Sequence, residues 1–379
     1  MSEPAPLRIV AALDREPWAD RGRSSSRELL LALDRLGVLA GAVSVKPRLL
    51  DLVERAVTVS PSPVRWRQRY WSMSSPAGPL VRAAMTRIGA RRVAAVDPAP
   101  DAVLQISGRY DAARPPVRAA VLATYQDANL ALWLRRPDLA LDPGADGVRR
   151  TLDAERRAFD RMDVIFAKSE WARRSFIDDY GQEPDKVVTA GAGAYVDLPD
   201  VAPRDPGGVV RFLFVGRNWV RKGGPDLLAA FARVRRQLPH AELVVAGPPE
   251  PPAAPDGVTF RGPVDQATLR RLFAEATAFV LPTSYEGLGI PFLEAMAHAL
   301  PCIGTRVCAV PELVQDGVTG LLVAPGDADE LAERMLVLAR DPARAVAMGA
   351  AGRQRAAEHT QDRVAAAIVA GIKRAVDAG

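Results

Sequence analysis

The chain has 379 residues, 48% hydrophobic and 25% charged, with a formal net charge of +5. That length exceeds what one hydrophobic core holds and supplies apolar material for two lobes of ordinary size. No run of about 18 apolar residues occurs, and Met1-Ser-Glu-Pro-Ala-Pro6 lacks a basic and then apolar leader, which speaks against a membrane span and export; a cytoplasmic protein is expected.

Short apolar runs alternate with amphipathic ones from the start. Leu7 to Leu13 reads as a strand. The loop Asp20-Arg-Gly-Arg-Ser-Ser-Ser26 follows, where Gly22 precedes a serine-rich helix start that can take phosphate or an acceptor. Arg27 to Leu36 then sets Leu29, Leu30, Leu33 and Leu36 on one helical face. Arg55, Arg65, Arg67, Arg69, Arg82, Arg87, Arg91 and Arg92 populate the stretch 55–96, which holds no Asp or Glu and interleaves Trp66, Tyr70 and Trp71. Such a stretch attracts an anionic surface and suits a lipid headgroup boundary; a solvated helix face is the plainer reading, and no nucleic-acid module accompanies it. Strands are expected at Ala102 to Ile106, Val117 to Thr124, Asp163 to Lys168 and Val187 to Ala190, with a helix from Glu170 to Tyr180 capped by Ser169. Buried runs separated by helices predict a parallel sheet.

Pro199-Asp-Val-Ala-Pro-Arg-Asp-Pro-Gly-Gly208 can continue neither helix nor sheet, so the domain boundary is expected there. The alternation restarts with strands at Val209 to Val215, Glu242 to Ala246, Val258 to Phe260, Ala278 to Leu281, Cys302 to Thr305 and Leu321 to Val323. Helices are expected at Asp226 to Gln237, Ala267 to Ala274, Pro291 to Ala299 and from Asp329. The expectation is an α/β protein of two Rossmann-like, doubly wound parallel-sheet domains, over 1–200 and 201–361, facing each other across a cleft. A tail helix over 362–379 carries Val364, Ile368, Ile372 and Val376 as a stripe in need of a partner surface, the first lobe being one candidate. Ligands of open α/β sheets bind outside the carboxyl ends of the strands.

Two constellations lie at such ends. Gly216-Arg-Asn-Trp-Val-Arg-Lys-Gly-Gly224 follows a strand and precedes a helix; its glycines admit close backbone approach, and Arg217 and Lys222 offer a fork and a point charge to phosphate oxygens. Glu286 and Glu294 stand eight positions apart with Pro291 between them. Pro291 suits a first helical turn, so Glu286 belongs to the approach loop and Glu294 to the helix. Free N–H groups there favour phosphate, while the carboxylates accept from sugar hydroxyls. Asp327 and Glu330 read as a capping box rather than as paired metal ligands, and Cys302 and Cys308 as small buried residues without chemistry. His298, four residues after Glu294, reads as a surface or supporting histidine that can bond to it.

From Val210 to about Asp327 the chain closely resembles the retaining nucleotide-sugar glycosyltransferases of glycosyltransferase family 4, which have the GT-B fold. The resemblance rests on Phe214-Val-Gly-Arg217, Lys222-Gly223, Val245-Ala-Gly247, Phe260-Arg-Gly-Pro-Val264, Leu281-Pro-Thr-Ser-Tyr-Glu-Gly-Leu-Gly289, Leu293-Glu-Ala-Met-Ala297, Pro311-Glu-Leu-Val314 and Asp316-Gly-Val-Thr-Gly-Leu-Leu322. It implies a hexosyltransferase that needs no metal or cofactor beyond a UDP or GDP sugar as donor substrate. Arg217 and Lys222 would neutralise the diphosphate, and Glu286 would meet the transferred sugar. Gly216, Gly287, Leu288 and Gly289 would line the sugar and phosphate pocket, Glu294 would accept from the ribose, and Arg261, Gly262 and Val264 would hold the base.

The chain departs from the family pattern in places. Thr124-Tyr-Gln-Asp127 stands where a His-Asp pair is common, leaving Tyr125 or Asp127 to approach the sugar; the glycine-rich first loop is reduced to Gly22; and Cys308-Ala309 replaces a usual glycine pair. All three histidines fall in the second lobe or the tail, so no first-lobe His is present to serve as the base of an inverting reaction. The acceptor reads as a lipid-linked, glycan or small-molecule one, with the Arg-rich stretch placing the protein at the inner face of an anionic membrane. Other readings of the same motifs are glycosylation of a soluble natural product, a GT-B phosphorylase, a sugar-nucleotide epimerase or a non-catalytic sugar-nucleotide sensor.

Overall fold

The computed structural model describes residues 7–14, 16–18, 25–46, 79–136, 146–193, 198–199, 209–248 and 255–378. Gly22, most of the Arg-rich stretch and residues 200–208 of the expected boundary lie outside the described residues. Two compact units divide the chain, residues 1–192 with 361–379 and residues 193–360.

The first unit runs β1 (Ile9–Leu13), α1 (Ser25–Arg35), β2 (Leu39–Ser44), α2 (Pro79–Ala94), β3 (Ala102–Ile106), β4 (Val121–Gln126), α3 (Leu130–Leu134), α4 (Asp146–Asp160), β5 (Val164–Ala167), α5 (Glu170–Asp178), a 3-10 turn (Pro184–Lys186) and β6 (Val187–Thr189). The strands form one sheet in the order β2-β1-β3-β4-β5-β6, parallel throughout. Burial on both faces explains their continuous apolar character: Ile9, Ala11 and Leu13 of β1 enter one core cluster, Val10 and Ala12 the opposite one. Ser169 caps α5 as expected, its Oγ accepting from the Ala172 N–H at 3.1 Å.

The second unit runs β7 (Arg211–Val215), α6 (Gly224–Gln237), β8 (Glu242–Ala246), β9 (Val258–Gly262), α7 (Gln266–Glu275), β10 (Ala278–Leu281), α8 (Ile290–Ala297), β11 (Cys302–Thr305), α9 (Val310–Leu313), β12 (Gly320–Val323), α10 (Ala328–Arg340) and α11 (Pro342–Glu358). Its parallel sheet has the order β12-β11-β10-β7-β8-β9. The order reverses at the β7/β10 pair, so this sheet has its topological switch point there.

The last helix, α12 (Gln361–Ala378), belongs to the first unit. Val364, Ala365, Ile368 and Ile372 join Leu29, Leu30 and Leu33 of α1 in its core, and the Arg35 guanidinium donates to Asp362 at 2.5 Å. Val376 ends the stripe 39% exposed, and Leu36, expected on the buried face of α1, lies past that helix and is 47% exposed. β2, α3 and α4 were not expected, whereas α2 fits the plainer reading of the Arg-rich stretch as a helix face. β2 is built from small residues, and α4 turns Thr151 and Glu155 inward along with Val148, Ala158 and Phe159, so neither shows the apolar period that marks an element.

Candidate functional site

Gly216 to Gly224 leaves β7 as a tight turn, in which Lys222 N–H donates to Asn218 O (3.0 Å), Gly223 N–H to Val220 O (3.0 Å) and Gly224 N–H to Trp219 O (2.9 Å). Gly223 has φ +76°, and a Cβ there would stand 1.8 Å from Pro282 O. Only glycine lets the turn press this closely on the segment after β10. At Gly216 a Cβ would meet Lys222 Cδ at 2.5 Å, so the lysine stem lies over that glycine.

The segment after β10 is stapled to the same turn. Arg221 O accepts from Ser284 N–H (2.9 Å) and Ser284 Oγ (3.0 Å), and the buried Thr283 hydroxyl lies 3.1 Å from it and 2.9 Å from Tyr285 O. Thr305 Oγ1 donates to Thr283 O, and Arg221 Nη1 to Tyr285 O. Two loops distant in sequence thereby become one rigid wall at the switch point.

Into this wall Lys222 and Glu286 set a short ion pair, Nζ to Oε2 at 2.6 Å, with side chains only 10% and 14% exposed. Arg221 Nη1 stands 3.7 Å from the same oxygen. Glu294, on the second turn of α8, is 7% exposed; burial pushes its carboxyl up to about 7, against the opposing pull of Lys222. Lys222 therefore sits within the field of both acids. Gly289 precedes α8 at φ +99° without a side-chain cap, and Pro291 occupies the first turn, so the leading N–H groups of the helix have no side-chain acceptor from their N-cap. Gly287 and Leu288 form the approach to that end. Arg217 is exposed on the β7 loop and makes no ion pair among the described residues.

Arg261, Gly262 and Val264 lie at and just beyond the carboxyl end of β9, two strands away. Gly247 N–H donates to Gly262 O at 2.7 Å, and the Trp219 ring packs on Phe214 (5.3 Å) and Phe260 (5.6 Å), which ties that end to the β7 turn. In the first unit Asp127 is exposed just past the end of β4. Tyr125 differs from expectation: its ring is a core residue, 2% exposed, and its hydroxyl donates to Gly191 O at 2.9 Å. His298 is buried rather than superficial, stacked on Phe273, with Nδ1 2.9 Å from the backbone oxygen of Glu294 and not bonded to its carboxylate. Asp327 caps α10, but Glu330 passes over the expected capping box and accepts from Ala324 N–H at 2.7 Å. Cys302 is buried, whereas Cys308 is half-buried at φ +49° with its thiol facing the Glu286 backbone; burial pushes that thiol up. Among the described residues no three His, Cys, Asp or Glu side chains gather as metal ligands.

Arg221 and Thr283 were missed by sequence reasoning. Their only signal is adjacency to Lys222 and to the Ser284-Tyr-Glu run, because their hydrogen bonds run to backbone carbonyls and the reach of Arg221 to Glu286 depends on the fold.

Residues 210–341 match the family described as Glycosyl transferases group 1. The chain is 33% identical over 240 residues to an alpha-maltose-1-phosphate synthase of Mycolicibacterium smegmatis, across 54% of this chain and 61% of that protein. It is 32% identical over 224 residues to a GDP-mannose-dependent alpha-(1-6)-phosphatidylinositol monomannoside mannosyltransferase of Mycobacterium tuberculosis, across 52% and 58%. The chain thus spans about three fifths of the length of these curated relatives. Among solved structures, sucrose-phosphate synthase from Thermosynechococcus elongatus has a TM-score of 0.71 at 17% identity over 98% of this chain and 100% of that one, and so shares its fold.

Proposed function

We propose, from a chain whose residues 210–341 are a Glycosyl transferases group 1 domain, that it moves a hexose from a nucleotide diphosphate sugar to an acceptor with retention of anomeric configuration. The observation that carries this reading is the Lys222–Glu286 pair held beside Glu294 and the α8 N-terminus at the switch point of the second sheet. An arriving diphosphate competes with Glu286 for Lys222 and adds Arg217, a cation already exposed on that loop. Glu286, released from Lys222, accepts from hydroxyls of the transferred sugar; Glu294 accepts from the ribose, and Gly262 and its neighbours face the base.

As the bond from the anomeric carbon to the diphosphate oxygen breaks, negative charge grows on the leaving group beside Lys222 and Arg217, which lowers the barrier without a divalent ion. The acceptor oxygen bonds to that carbon on the face being vacated, and its proton passes to the departing phosphate. Asp127, exposed at the end of β4, is assigned to the acceptor side in preference to Tyr125, whose hydroxyl is already bonded.

Glu286→Gln should cut turnover by about 100-fold to 1000-fold, by the measure of a lost transition-state contact. Chelator should leave the rate intact. Loss of turnover matched by loss of folded protein would refute the assignment. The acceptor is assigned to the lipid-linked class, as for the mannosyltransferase relative named above, with the Arg-rich stretch meeting an anionic membrane surface. The protein should float with acidic liposomes at low salt and not with neutral ones; equal behaviour with both removes this part of the proposal. No helix among the described residues is long and apolar enough to cross a membrane.

A further inference from the structure

A second cationic site lies in the first unit. Between α2, α4 and the loop after β3 is a pocket of about 320 Å³ whose lining includes Arg82, Arg114, Arg150, Arg157 and Arg161 against a single carboxylate, Asp111. Its walls are fixed. Gln105 holds the β3–β4 loop by donating to Ser107 O (2.9 Å) and Tyr110 O (2.8 Å) and by accepting from Ala112 N–H (2.8 Å); Asp111 N–H donates to Thr86 Oγ1 (3.1 Å). Asp111 is already committed to Arg161. Arg114, Arg150 and Arg157 are exposed and form no ion pair among the described residues.

Arg82 is the informative member. It is 7% exposed, Nη1 donates to Gly108 O at 2.7 Å, and Nη2 has no hydrogen-bond partner among the described residues. Burial lowers its pKa despite the opposing pull of Glu155, Asp111 and the Tyr180 phenol, and Arg157 lowers it further. Five guanidinium groups around one cavity repel one another, an arrangement that an anion relieves. Planar forks suit the oxygens of phosphate, and a lining four charges positive on balance (five Arg, one Asp) favours a dianion over a carboxylate. No aromatic ring lines the pocket, so it offers no platform for a base, and its volume stands at the low end of small-ligand sites.

The pocket is not lined by Asp127, the residue assigned to the acceptor side above. It runs along the flank of the sheet, from Gly108 just past the carboxyl end of β3 to Arg161, two residues before Asp163, which accepts from Leu122 N–H at the amino end of β4. Asp127 follows the carboxyl end of β4, the strand beside β3, and Gln126 before it lies 2.6 Å from the Cβ position of Gly108, so that end of the pocket adjoins the acceptor side.

We propose that this groove is a binding site for a phosphate monoester, reached either as a free phosphoester or as a lipid headgroup. Binding is read without any sugar donor, so its failure leaves the transferase reading standing. The experiment measures thermal shift and calorimetric affinity with inorganic phosphate and glycerol phosphate, at ionic strength matched with sodium chloride. It compares the wild type with Arg150→Glu/Arg157→Glu and with a control of equal charge change, Lys373→Glu/Arg374→Glu, on exposed positions of α12 that neither line the pocket nor belong to the Arg-rich stretch. Wild type and control should be stabilised by the phosphoester, and the pocket variant should bind it at least about tenfold more weakly. Phosphate that enters the second unit contributes equally to all three proteins. No shift beyond that of sodium chloride, or equal affinity in all three, overturns the proposal. Vesicles of phosphatidylcholine containing phosphatidic acid then assign the source: displacement of glycerol phosphate identifies the headgroup, and its retention identifies the free ester.

Discussion

Glu294 stores a pH dependence in one side chain. Its carboxyl sits at about 7 in the folded protein, above the ordinary value of 4.5, because burial disfavours the charged form. The folded state therefore holds a proton between those values that the unfolded state has released. Its contribution to stability is fully present below about 4.5 and is lost as pH rises through about 7. Glu294→Gln should remove that slope, so that the variant gains on the wild type between these pH values and the difference levels off above them; parallel denaturation midpoints from pH 4 to 8 would contradict it. The placement of Glu286 on the approach loop, of Glu294 on the helix and of Arg217 and Lys222 on the turn after a strand was readable in the sequence because loop, proline and helix follow local rules. What stayed hidden was that Glu286 and Lys222 meet at 2.6 Å, and that Arg221 O receives hydrogen bonds from the β10 loop. Such contacts depend on sheet order, which no local spacing encodes. Tyr125 shows the same limit, since its inward direction follows from the face of β4 it occupies.

Among the elements, the turn after β7 depends most on one position. Gly223 combines φ +76° with a Cβ site 1.8 Å from a backbone oxygen of the neighbouring segment. Gly223→Ala should cost about 3 kcal/mol, combining the left-handed penalty with displacement of backbone that cannot yield. The cost should appear as a lower melting temperature together with loss of nucleotide-sugar binding; unchanged binding would show that the β7 and β10 loops need not touch. Strands buried on both faces, such as β1 and β10, were legible as short apolar runs. α4 was not, because its inward face carries Glu155, which accepts from Leu130 N–H and from the Tyr180 hydroxyl, and which burial pushes upward. A buried acid satisfied by distant donors looks in sequence like a surface residue.

At the scale of the whole molecule, the sequence reading anticipated two doubly wound parallel sheets, since the strand and helix periods recur twice. It did not reveal that the sheets follow different strand orders, with reversals at β1/β3 in one and at β7/β10 in the other. Nor did the tail stripe name its partner; that follows from α12 packing on α1. Val364, Ile368 and Ile372 at about 2 kcal/mol each supply roughly 6 kcal/mol, comparable with the entire net stability of a domain. Deleting residues 361–379 should therefore unfold the first unit while the second keeps its own melting transition. A truncated chain that still shows both transitions would mean α12 is dispensable.

The chain leaves the first unit after residue 192 and re-enters it at 361. On the ribosome, residues 1–192 thus wait for residues 361–379. Residues 193–360 can collapse as soon as they emerge, whereas β1 to β6 remain with one flank bare until Ile372 clears the exit tunnel. Translation order and folding order are inverted, so the interval of greatest aggregation hazard, and of greatest demand for chaperones, coincides with synthesis of the whole second half.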